Sequence, residues 1–577
     1  MCGIAGIVTA KDRELAQPLR RMLETIEHRG PDGAGYVIGD VCARSRTLDA
    51  LEFNTQKTNV ALGHVRLQIT GGPTGVQPFQ SADGRLSLLH NGEIYNYEEL
   101  GDELERRTSL KTDSDSEVVL RLIEEEYDGD LISAVEAVLP RLDGVYAMVI
   151  SDRDTTIVAR DKIGVRPLYY TIDGDAVTFA SERRPLTVNG LDETDTQRLA
   201  PGHMLIARNG THEIRPFWTP DSLKPTVQRI TDKAEAIAAY GSAIEAAIRK
   251  RVEGHDHVGV IFSGGIDSFL VAYLIDKIGV PFTCYASGRT GSTDIKWSLE
   301  LCKQFGWDIK TADLTTEDVA QLVPEVMDVI EDHSLIQVEV AIPIYAAVRN
   351  ASRNGERVIL TGQGADELFG GYSWYSTIVD REGYGAFLKR SWEDTLLLYS
   401  ECLEREDKIS MAHSVELRVP FLDPNVIKVA YDIDPRLKIH KGGDDMGKRI
   451  HRDYCLSIDV PHNIAYRVKE AAQHGANIHG GIEELALASG FSAARLNALG
   501  YDPDITVEEQ LGSCCRYGHK YGQENMWRAA PHVQFYLDSQ AARLDRLSPD
   551  ALRHWTTIHD RLNEDVDVHI VEECPAC

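Results

Sequence analysis

The sequence predicts two parts of different fold class, a layered α+β domain followed by an α/β domain with a parallel sheet and a helical C-terminal part. Short apolar strands with glycine-rich turns fill roughly the first 200 residues. After the Pro-containing segment RPFWTPDSLKP (215–225), long amphipathic helices alternate with single apolar strands. A chain of 577 residues is also long enough for more than one domain.

The first part contains four segments with the length and alternation of β-strands and three with the spacing of amphipathic helices. The predicted strands lie at 4–8, 86–95, 144–152 and 156–161. The predicted helices lie at 14–28, 97–107 and 116–127. Runs of strands interrupted by few helices are typical of a layered α+β sandwich.

The second part contains three apolar strands separated by helical stretches, HVGVIF (257–262), FTCYA (282–286) and RVILTG (357–362). This alternation predicts βαβ units and a parallel sheet. We therefore predict one domain at 1–215, a second at 225–480, and an extension at 481–577 that packs on the second domain.

The charge balance excludes whole classes of function. Acidic residues outnumber basic residues by 90 to 61, so the formal net charge is −29, which repels nucleic acids and anionic membranes. No run of about 20 apolar residues could span a bilayer, and the first residues lack the basic flank of a secretory signal. Ten scattered cysteines do not resemble a disulfide framework. We expect reduced thiols, a cytoplasmic location, and no nucleic-acid or membrane partner.

Cys2 is a candidate nucleophile because it directly follows the initiator methionine. Removal of Met1 would give Cys2 an α-amine with an ordinary pKa of about 7.7–8.0, which can accept the thiol proton. The polar turn NGEIYN (91–96) offers the Asn91 amide and the Gly92 backbone N–H as oxyanion donors.

Five motifs, in this order and spacing, resemble the class II glutamine amidotransferase domain, an N-terminal nucleophile hydrolase. They are MCGIAG (1–6), HRGPDG (28–33), GHVRLQI (63–69), NGEIYN (91–96) and TDSDSE (112–117). The resemblance implies that Cys2 attacks the glutamine side-chain amide and releases ammonia, with Asn91 and Gly92 as further catalytic groups.

The same resemblance implies a glutamine-binding set of Arg66, Asn91, Glu93 and Asp115. Arg66 would bind the α-carboxylate of glutamine and Asp115 its α-ammonium, both through charge-assisted hydrogen bonds.

The second part carries a candidate phosphate loop, SGGIDS (263–268), between an apolar strand and a helical segment. Glycines at such a turn let backbone N–H groups approach an anion, and no lysine follows them as in a Walker A loop. A second turn after a strand supplies Asp366 and Glu367. Two acidic turns at one sheet edge suit a magnesium-bound triphosphate.

SGGIDS and GADELFGGY (364–372) together resemble the ATP pyrophosphatase, or PP-loop, domain of glutamine-hydrolysing asparagine synthetases. Further similar segments are ARDKIGVRPLYY (159–170), FASE (179–182) and ISMAHSVELRVPFLD (409–423). The first two look like family motifs near the domain junction, and the third resembles the family's helix and loop beside the active site.

This resemblance implies that ATP converts a substrate carboxylate into an acyl-adenylate, which ammonia from the first domain reaches through an internal channel. The implied ligands of ATP and pyrophosphate are Ser263, Gly264, Gly265, Asp267, Ser268, Thr361 and Gly362. Asp267 and Asp366 would hold Mg²⁺, and Lys469 would neutralise charge on the phosphate during adenylation. The resemblance also suggests a homodimer.

Two positions depart from the family pattern. Gln363 stands where bacterial members commonly carry Glu, and an amide cannot act as a general base. Glu339 stands about where a substrate-facing Arg is expected; it would repel an aspartate carboxylate unless it simply faces solvent. Three functions therefore remain open: a synthetase acting on aspartate, an amidotransferase acting on another carboxylate, and a glutamine- or nucleotide-sensing protein without synthetase activity.

The region from 476 onward shows no family match. It contains Cys514 and Cys515 and ends in CPAC, with Cys574 and Cys577 spaced as in some zinc or redox sites. One such pair at a chain end is weak, and an exposed tail is the preferred interpretation.

Overall fold

The computed structural model describes residues 2–105, 110–208, 210–224, 229–444, 446–467, 472–507 and 531–572. The chain divides into two compact units. The first comprises Met1–Lys224 and Cys402–Leu417, and the second comprises Pro225–Glu401 and Arg418–Cys577.

The first unit contains thirteen strands in its described residues. They are β1 (Cys2–Arg13), β2 (Gly33–Ile38), β3 (Val41–Ser45), β4 (Thr58–Arg66), β5 (Phe79–Gln80), β6 (Ser87–Ile94), β7 (Gly144–Ser151), β8 (Thr155–Arg160), β9 (Tyr169–Asp173), β10 (Ala176–Ala180), β11 (Gln197–Arg198), β12 (His203–Arg208) and β13 (Thr211–Pro216). Its helices before residue 224 are α1 (Ala16–Thr25), α2 (Tyr97–Glu105), α3 (Asp115–Glu126), α4 (Leu131–Val138) and α5 (Arg184–Thr187).

These strands form two antiparallel sheets, with the orders β11-β9-β10-β1-β4-β2-β3 and β13-β12-β8-β7-β6-β5. Alternation along β1 explains the layering, because Ile4 joins an apolar core shared with Leu89 and Val149 of the second sheet. Ala5 and Ile7 instead join the core beneath α1. Helices α2 to α4 pack on the outer side of β6 and β7. The predicted α+β sandwich is confirmed.

The remaining elements follow residue 229. The strands are β14 (Val258–Ile261), β15 (Phe282–Arg289), β16 (Asp308–Leu314), β17 (Val358–Leu360) and β18 (Glu416–Arg418). The helices are α6 (Lys233–Val252), α7 (Ile266–Ile278), α8 (Thr293–Phe305), α9 (Thr316–Ile330), α10 (Leu335–Arg353), α11 (Ala365–Phe369), α12 (Ser373–Arg381), α13 (Tyr384–Leu398), α14 (Glu404–Met411), α15 (Pro424–Asp432), α16 (Arg449–Ser457), α17 (His462–Ala465), α18 (Ala472–Gly475), α19 (Ile478–Ala488), α20 (Ala493–Leu499), α21 (Pro503–Val507), α22 (Pro531–Arg543) and α23 (Pro549–Glu572).

A five-stranded sheet with the order β16-β15-β14-β17-β18 organises this part. The pairs β14–β15, β15–β16 and β14–β17 are parallel, which confirms the predicted α/β class. Strand β16 was not predicted, because its sequence DIKTADL is largely polar and partly exposed at the sheet edge.

The segment Cys402–Leu417 contains α14 and belongs to the first unit, although the sequence places it far from the rest of that unit. Five consecutive charged residues of α14, from Glu404 to Lys408, are all buried. Glu404 and Asp407 have partners in the strands and loops of the first unit. Tyr169 donates to Glu404 at 2.8 Å, and Arg29 pairs with Asp407 at 2.7 Å.

The helices after residue 481 contact α9 and the start of α10 within the second unit. Gln534 of α22 accepts from the Leu335 backbone at 2.8 Å and donates to the His333 carbonyl at 3.1 Å. Arg546 pairs with Asp328 at 2.8 Å. The predicted limits at 215, 225 and 480 stay predictions. In the described part of the chain, every helix is too short or too polar to cross a bilayer.

Candidate active sites

Cys2 opens β1 and lies beside Arg66, because the two residues pair directly in the register of β1 and β4. The backbone nitrogen of Cys2 donates to Asn91 Oδ1 at 2.8 Å. The Cys2 carbonyl accepts from Arg29 Nε at 3.0 Å. The nucleophile candidate is therefore held on both sides by side chains from other segments.

Asn91 carries a second polar group that nothing in the described structure satisfies. Its side chain is completely buried, and its Nδ2 has no hydrogen-bond partner among the described residues. A buried donor without an acceptor is costly unless a ligand supplies one. The next residue must be glycine, because a Cβ at Gly92 would lie 2.0 Å from the Val145 carbonyl oxygen.

Burial raises the pKa of the Cys2 thiol, against the opposing influence of the nearby Arg66 charge. The thiol is thus neutral in the resting site, and it needs a base before it can attack.

Two of the predicted glutamine ligands, Arg66 and Asp115, carry charges that act on this thiol. Arg66 and Asp115 both influence the Cys2 pKa, in opposite directions. Arg66 Nη2 is oriented by the carbonyls of Thr70 and Gly72, at 2.9 and 2.7 Å. The carboxylate of Asp115, the first residue of α3, accepts from the Ile94 backbone at 3.1 Å.

Glu93 is also buried, and it lies two residues from Asn91 along β6, on the same face of the strand. The six predicted residues of this half-site thus lie at the start of β1, at the end of β4, in β6 and at the start of α3. Their roles remain proposals.

Two further residues of this region were not predicted. Arg29 is fully buried and pairs with Glu182 at 2.8 Å and with Asp407 at 2.7 Å. His90 lies 3.7 Å from Asp115, and burial lowers the pKa of its ring. The segments HRGPDG and FASE that contain Arg29 and Glu182 were noted as motifs, but nothing in the sequence indicates that these two side chains meet.

The motif ARDKIGVRPLYY has a structural role in the first unit. Arg160 donates to the carbonyls of Gly164, Arg166 and Leu199 at 2.8–2.9 Å. Asp161 accepts from the backbone nitrogen of Gly164 at 2.7 Å. The motif therefore fixes the turn between β8 and β9 through buried charge-assisted hydrogen bonds.

In the second unit, the loop SGGIDS joins β14 to α7, as predicted. Gly264 adopts φ +67°, and its carbonyl accepts from the Arg467 guanidinium. The Ser268 hydroxyl donates to the Gly265 carbonyl at 3.1 Å. Ser263 Oγ accepts from the Gly265 N–H at 3.3 Å. These bonds shape an open turn at the N-terminus of α7, where phosphate groups commonly bind.

The turn after β17 lies directly against this loop. A Cβ at Gly362 would come within 2.8 Å of the Asp267 Cβ, so only glycine allows the two turns to approach. The backbone nitrogen of the preceding Thr361 donates to the backbone carbonyl of Arg418 at 3.1 Å. The predicted nucleotide ligands of the two turns are therefore neighbours.

Asp267 and Asp366 converge on one cation, the ammonium of Lys448. Its Nζ lies 2.5 Å from Asp267 Oδ2 and 2.8 Å from Asp366 Oδ1. Burial acts to lower the pKa of Lys448, but the two carboxylates raise it above its ordinary value. Lys448 was not predicted, because a lone lysine in a glycine-rich segment has no distinguishing pattern.

The two carboxylates also fit a Mg²⁺ ion by the chemistry of their donors. Mg²⁺ is commonly held by one or two carboxylates together with phosphate oxygens and water. No group of three or more metal-binding side chains occurs among the residues that the structure describes. His451 Nε2 lies 3.4 Å from Asp267 Oδ1. The other ring nitrogen of His451, Nδ1, is hydrogen-bonded to the Tyr240 hydroxyl at 2.6 Å.

The two departures from the family pattern lie in different surroundings. Gln363 is half-buried beside Gly362. The nearby Glu367 is buried and accepts from the Tyr372 hydroxyl at 2.6 Å. Glu339 does not face solvent: it is 4% exposed and pairs with His479 at 2.7 Å. Lys469 and the four C-terminal cysteines lie outside the described residues.

Comparisons with known proteins match both parts of the chain. A glutamine amidotransferase domain model matches residues 1–209, and an asparagine synthase model matches 239–397 and 379–538. A Methanocaldococcus jannaschii protein named asparagine synthetase (glutamine-hydrolyzing) 1 is 33% identical over 86% of this chain and 97% of that protein. Asparagine synthetase (glutamine-hydrolyzing) 2 of Oryza sativa subsp. japonica is 30% identical over 82% of this chain and 77% of its own.

Among solved structures, glutamine phosphoribosylpyrophosphate amidotransferase from B. subtilis is similar, with 26% identity and a TM-score of 0.34 over 50% of this chain and 67% of that chain. The extent of the family-model and curated matches decides the assignment. The chain belongs to the glutamine-hydrolysing asparagine synthetase family and is an ATP-dependent ligase with a glutamine amidotransferase domain.

Proposed function

We propose that this protein is a glutamine-dependent asparagine synthetase. It converts aspartate, glutamine and ATP into asparagine, glutamate, AMP and pyrophosphate. Family membership supports the ligase and glutamine amidotransferase activities, and the arrangement of the two half-sites supports the division of the reaction between them.

In the first half-reaction, the Cys2 sulfur attacks the side-chain amide carbon of glutamine. The α-amine that Cys2 gains on removal of Met1 takes the thiol proton and passes it to the leaving ammonia. The unpartnered Nδ2 of Asn91 donates to the developing oxyanion, together with the Gly92 N–H. Water then hydrolyses the thioester to glutamate, while Arg66 and Asp115 hold the amino-acid end of the substrate.

In the second half-reaction, an aspartate carboxylate oxygen attacks the α-phosphorus of ATP and pyrophosphate leaves. The loop 263–268, with Thr361 and Gly362, holds the phosphates. Asp267 and Asp366 would hold Mg²⁺, which would supply positive charge against the leaving pyrophosphate. Lys448 supplies a permanent positive charge between these carboxylates. Ammonia then attacks the activated carbonyl carbon, and AMP leaves.

The observation that carries the proposal is the meeting of Asp267, Asp366 and Lys448 beside a glycine-rich strand-to-helix turn. A protein that only sensed glutamine would not need this acidic and basic cluster for pyrophosphate chemistry.

The test is product analysis by mass spectrometry after incubation with ATP, Mg²⁺, aspartate and glutamine labelled at the amide nitrogen. We expect labelled asparagine with AMP and pyrophosphate. Cys2→Ala should lose the labelled product, and Asp267→Asn should lose AMP. Glutamate without AMP would show that aspartate is not the acceptor.

Amidation of a different carboxylate is the second candidate function, and the Glu at position 339, where the family resemblance predicts a substrate-facing Arg, favours it. Its charge would disfavour a second acidic group on the acceptor where the paired His479 is neutral. Replacing aspartate with a panel of other carboxylic acids, with AMP formation as the readout, tests this candidate.

A further inference from the structure

Glu339 of α10 and His479 of α19 form an ion pair that the reaction described above does not use. Glu339 Oε2 lies 2.7 Å from His479 Nδ1. The carboxylate is buried, whereas the imidazole remains 27% exposed. His479 Nε2 makes no hydrogen bond with the residues that the structure describes. One nitrogen of the ring is therefore fixed, and the other is available to a ligand.

The pair lies at the edge of the parallel sheet where the nucleotide loop is found. Helix α10 precedes β17 and crosses the sheet in the direction opposite to the strands, so its first turns lie at their carboxyl ends. The Ser287 hydroxyl, near the carboxyl end of β15, donates to the Pro343 carbonyl one turn after Glu339. Ligands of open α/β sheets bind at this edge.

A continuous set of contacts joins the nucleotide loop to the segment before His479. Arg467 donates to the Gly264 carbonyl, and its guanidinium lies 3.9 Å from Asp294. Asp294 packs against Gly475, where a Cβ would come within 2.3 Å of its carboxylate oxygen. Gly475 ends α18, four residues before His479. The segment that leads to His479 is thus connected to the nucleotide loop through packed residues of the same unit.

The charges around His479 favour its protonated form. The hydrogen bond to Glu339 is the largest influence that raises the pKa of the imidazole, and Glu483 on the same helix adds to it. The ring of His474 packs edge-on against the ring of His479, with 5.6 Å between the ring centroids. The nearby Arg289 is bound by Glu484 at 2.7 Å.

We propose that the imidazolium of His479, oriented by Glu339, binds the second carboxylate of a dicarboxylic amino-acid acceptor while the first is adenylated. This inference rests on the proposed function, because it assigns the acceptor of that same site. Glu339 is then a positioning residue, and its negative charge does not repel the acceptor because the imidazolium compensates it.

The main test compares aspartate binding to the full-length protein and to His479→Gln by isothermal titration calorimetry, with Mg²⁺ and a non-hydrolysable ATP analogue present. Loss of a charge-assisted hydrogen bond should weaken aspartate binding roughly 10- to 100-fold. ATP-analogue affinity and glutaminase activity should stay within about two-fold. His462→Gln is the matched control, since this exposed histidine stacks on Tyr466 in the same unit.

A second variant separates positioning from structural support. Glu339→Gln keeps a hydrogen-bonding group but removes the charge that raises the His479 pKa. The protonated ring binds, so aspartate affinity should fall as pH rises through that pKa. In Glu339→Gln this fall should move to lower pH, and in His479→Gln it should disappear. An unchanged profile in both variants would overturn the inference.

The outcomes for the two proposals are distinguishable. If the parent protein makes asparagine but His479→Gln binds aspartate normally, the inference fails and the proposed function stands. If it binds aspartate through His479 but forms no asparagine, the proposed function fails and the acceptor site stands. If it neither binds nor converts aspartate, both fail. Parallel weakening of aspartate and ATP-analogue binding would indicate a structural role and would also overturn the inference.

Discussion

Asn91 serves the glutaminase site with both ends of its amide. Its Oδ1 accepts from the Cys2 backbone, and its Nδ2 is buried without a partner. We predict that Asn91→Ala lowers the glutaminase kcat about 100- to 1000-fold, as expected when one oxyanion donor is removed. Glutamate release under saturating glutamine measures this effect.

The matched control is Asn96→Ala in the same sequence motif. Asn96 donates to the Arg141 carbonyl at 3.0 Å and accepts from the Asp143 backbone, so it supports a loop and not the thiol. An equal loss of kcat in both variants would contradict an oxyanion role for Asn91.

Lys448 offers a test of the synthetase site. We predict that Lys448→Met lowers ATP-dependent pyrophosphate release by about 100-fold or more, because Asp267 and Asp366 then lose the ammonium that pairs with both. Glutaminase activity should persist. The control is Lys428→Met, which removes a lysine from a partly exposed pair with Asp432. Comparable loss in the control would argue against a specific role.

Short conspicuous patterns predicted Cys2, Asn91, Asp267 and Asp366 as site residues. The structure places Asn91 on the Cys2 backbone and brings the two aspartates to one lysine. Sequence motifs did not predict Lys448. This lysine pairs with Asp267, which lies 181 positions earlier in the chain. Such pairing depends on the fold and leaves no local periodicity. The same applies to the ion pair of Glu339 with His479. This pair compensates the negative charge that the sequence alone assigns to position 339.

Helix α14 shows how a buried helix can be misjudged from its sequence. EREDK in its first turns is typical of a solvated surface helix. The structure instead buries all five residues and satisfies most of them with opposite charges, including Arg198 on Glu404 at 2.7 Å. No local pattern reveals partners such as Arg29 and Arg198, because they belong to segments more than 200 residues earlier.

Glu406 of this helix makes stability depend on pH. Burial raises its pKa to about 7, with Arg405 only 3.5 Å away in partial compensation. The folded state therefore binds more protons than the unfolded state between about pH 4.3 and 7, and the free energy of unfolding falls as pH rises through that range. We predict that Glu406→Gln raises the Tm at pH 8 but not at pH 4.5. At pH 8 the free energy of unfolding should increase by up to about 3 kcal/mol.

The neighbouring Asp407 should behave in the opposite way. Asp407→Asn leaves the fully buried Arg29 with one carboxylate fewer, and breaking such a pair costs about 3–5 kcal/mol. We predict a lower Tm at both pH values and a lower glutaminase kcat, since Arg29 also holds the Cys2 carbonyl. Differential scanning fluorimetry and glutamate release measure the two effects. A Tm equal to that of the parent protein would contradict the assignment.

Taken together, the two half-sites should be separable by mutation. We predict that Cys2→Ala abolishes glutamine-dependent synthesis but keeps synthesis from added ammonium chloride, because the synthetase residues belong to the other compact unit. Conversely, Asp267→Asn should release glutamate without forming AMP. Loss of ammonia-dependent synthesis in Cys2→Ala would show that the thiol serves more than glutamine hydrolysis.

The fold classes of both parts followed from strand and helix periodicity, which local sequence records well. The discontinuity of the first unit did not, because Cys402–Leu417 carries no signal that separates it from the helices around it. Strand β16 was missed for a related reason, since its polar side chains at the sheet edge hide the alternation of a buried strand.

This discontinuity has a consequence for how the protein is made. A ribosome must add about 190 residues after Lys224 before the segment that pairs with Arg29 emerges, which takes about 10–40 s at typical synthesis rates. During that time the growing chain lacks the carboxylate that completes the charge network behind Cys2. The first unit is therefore completed only after residues 225–401 of the second unit have also been synthesised.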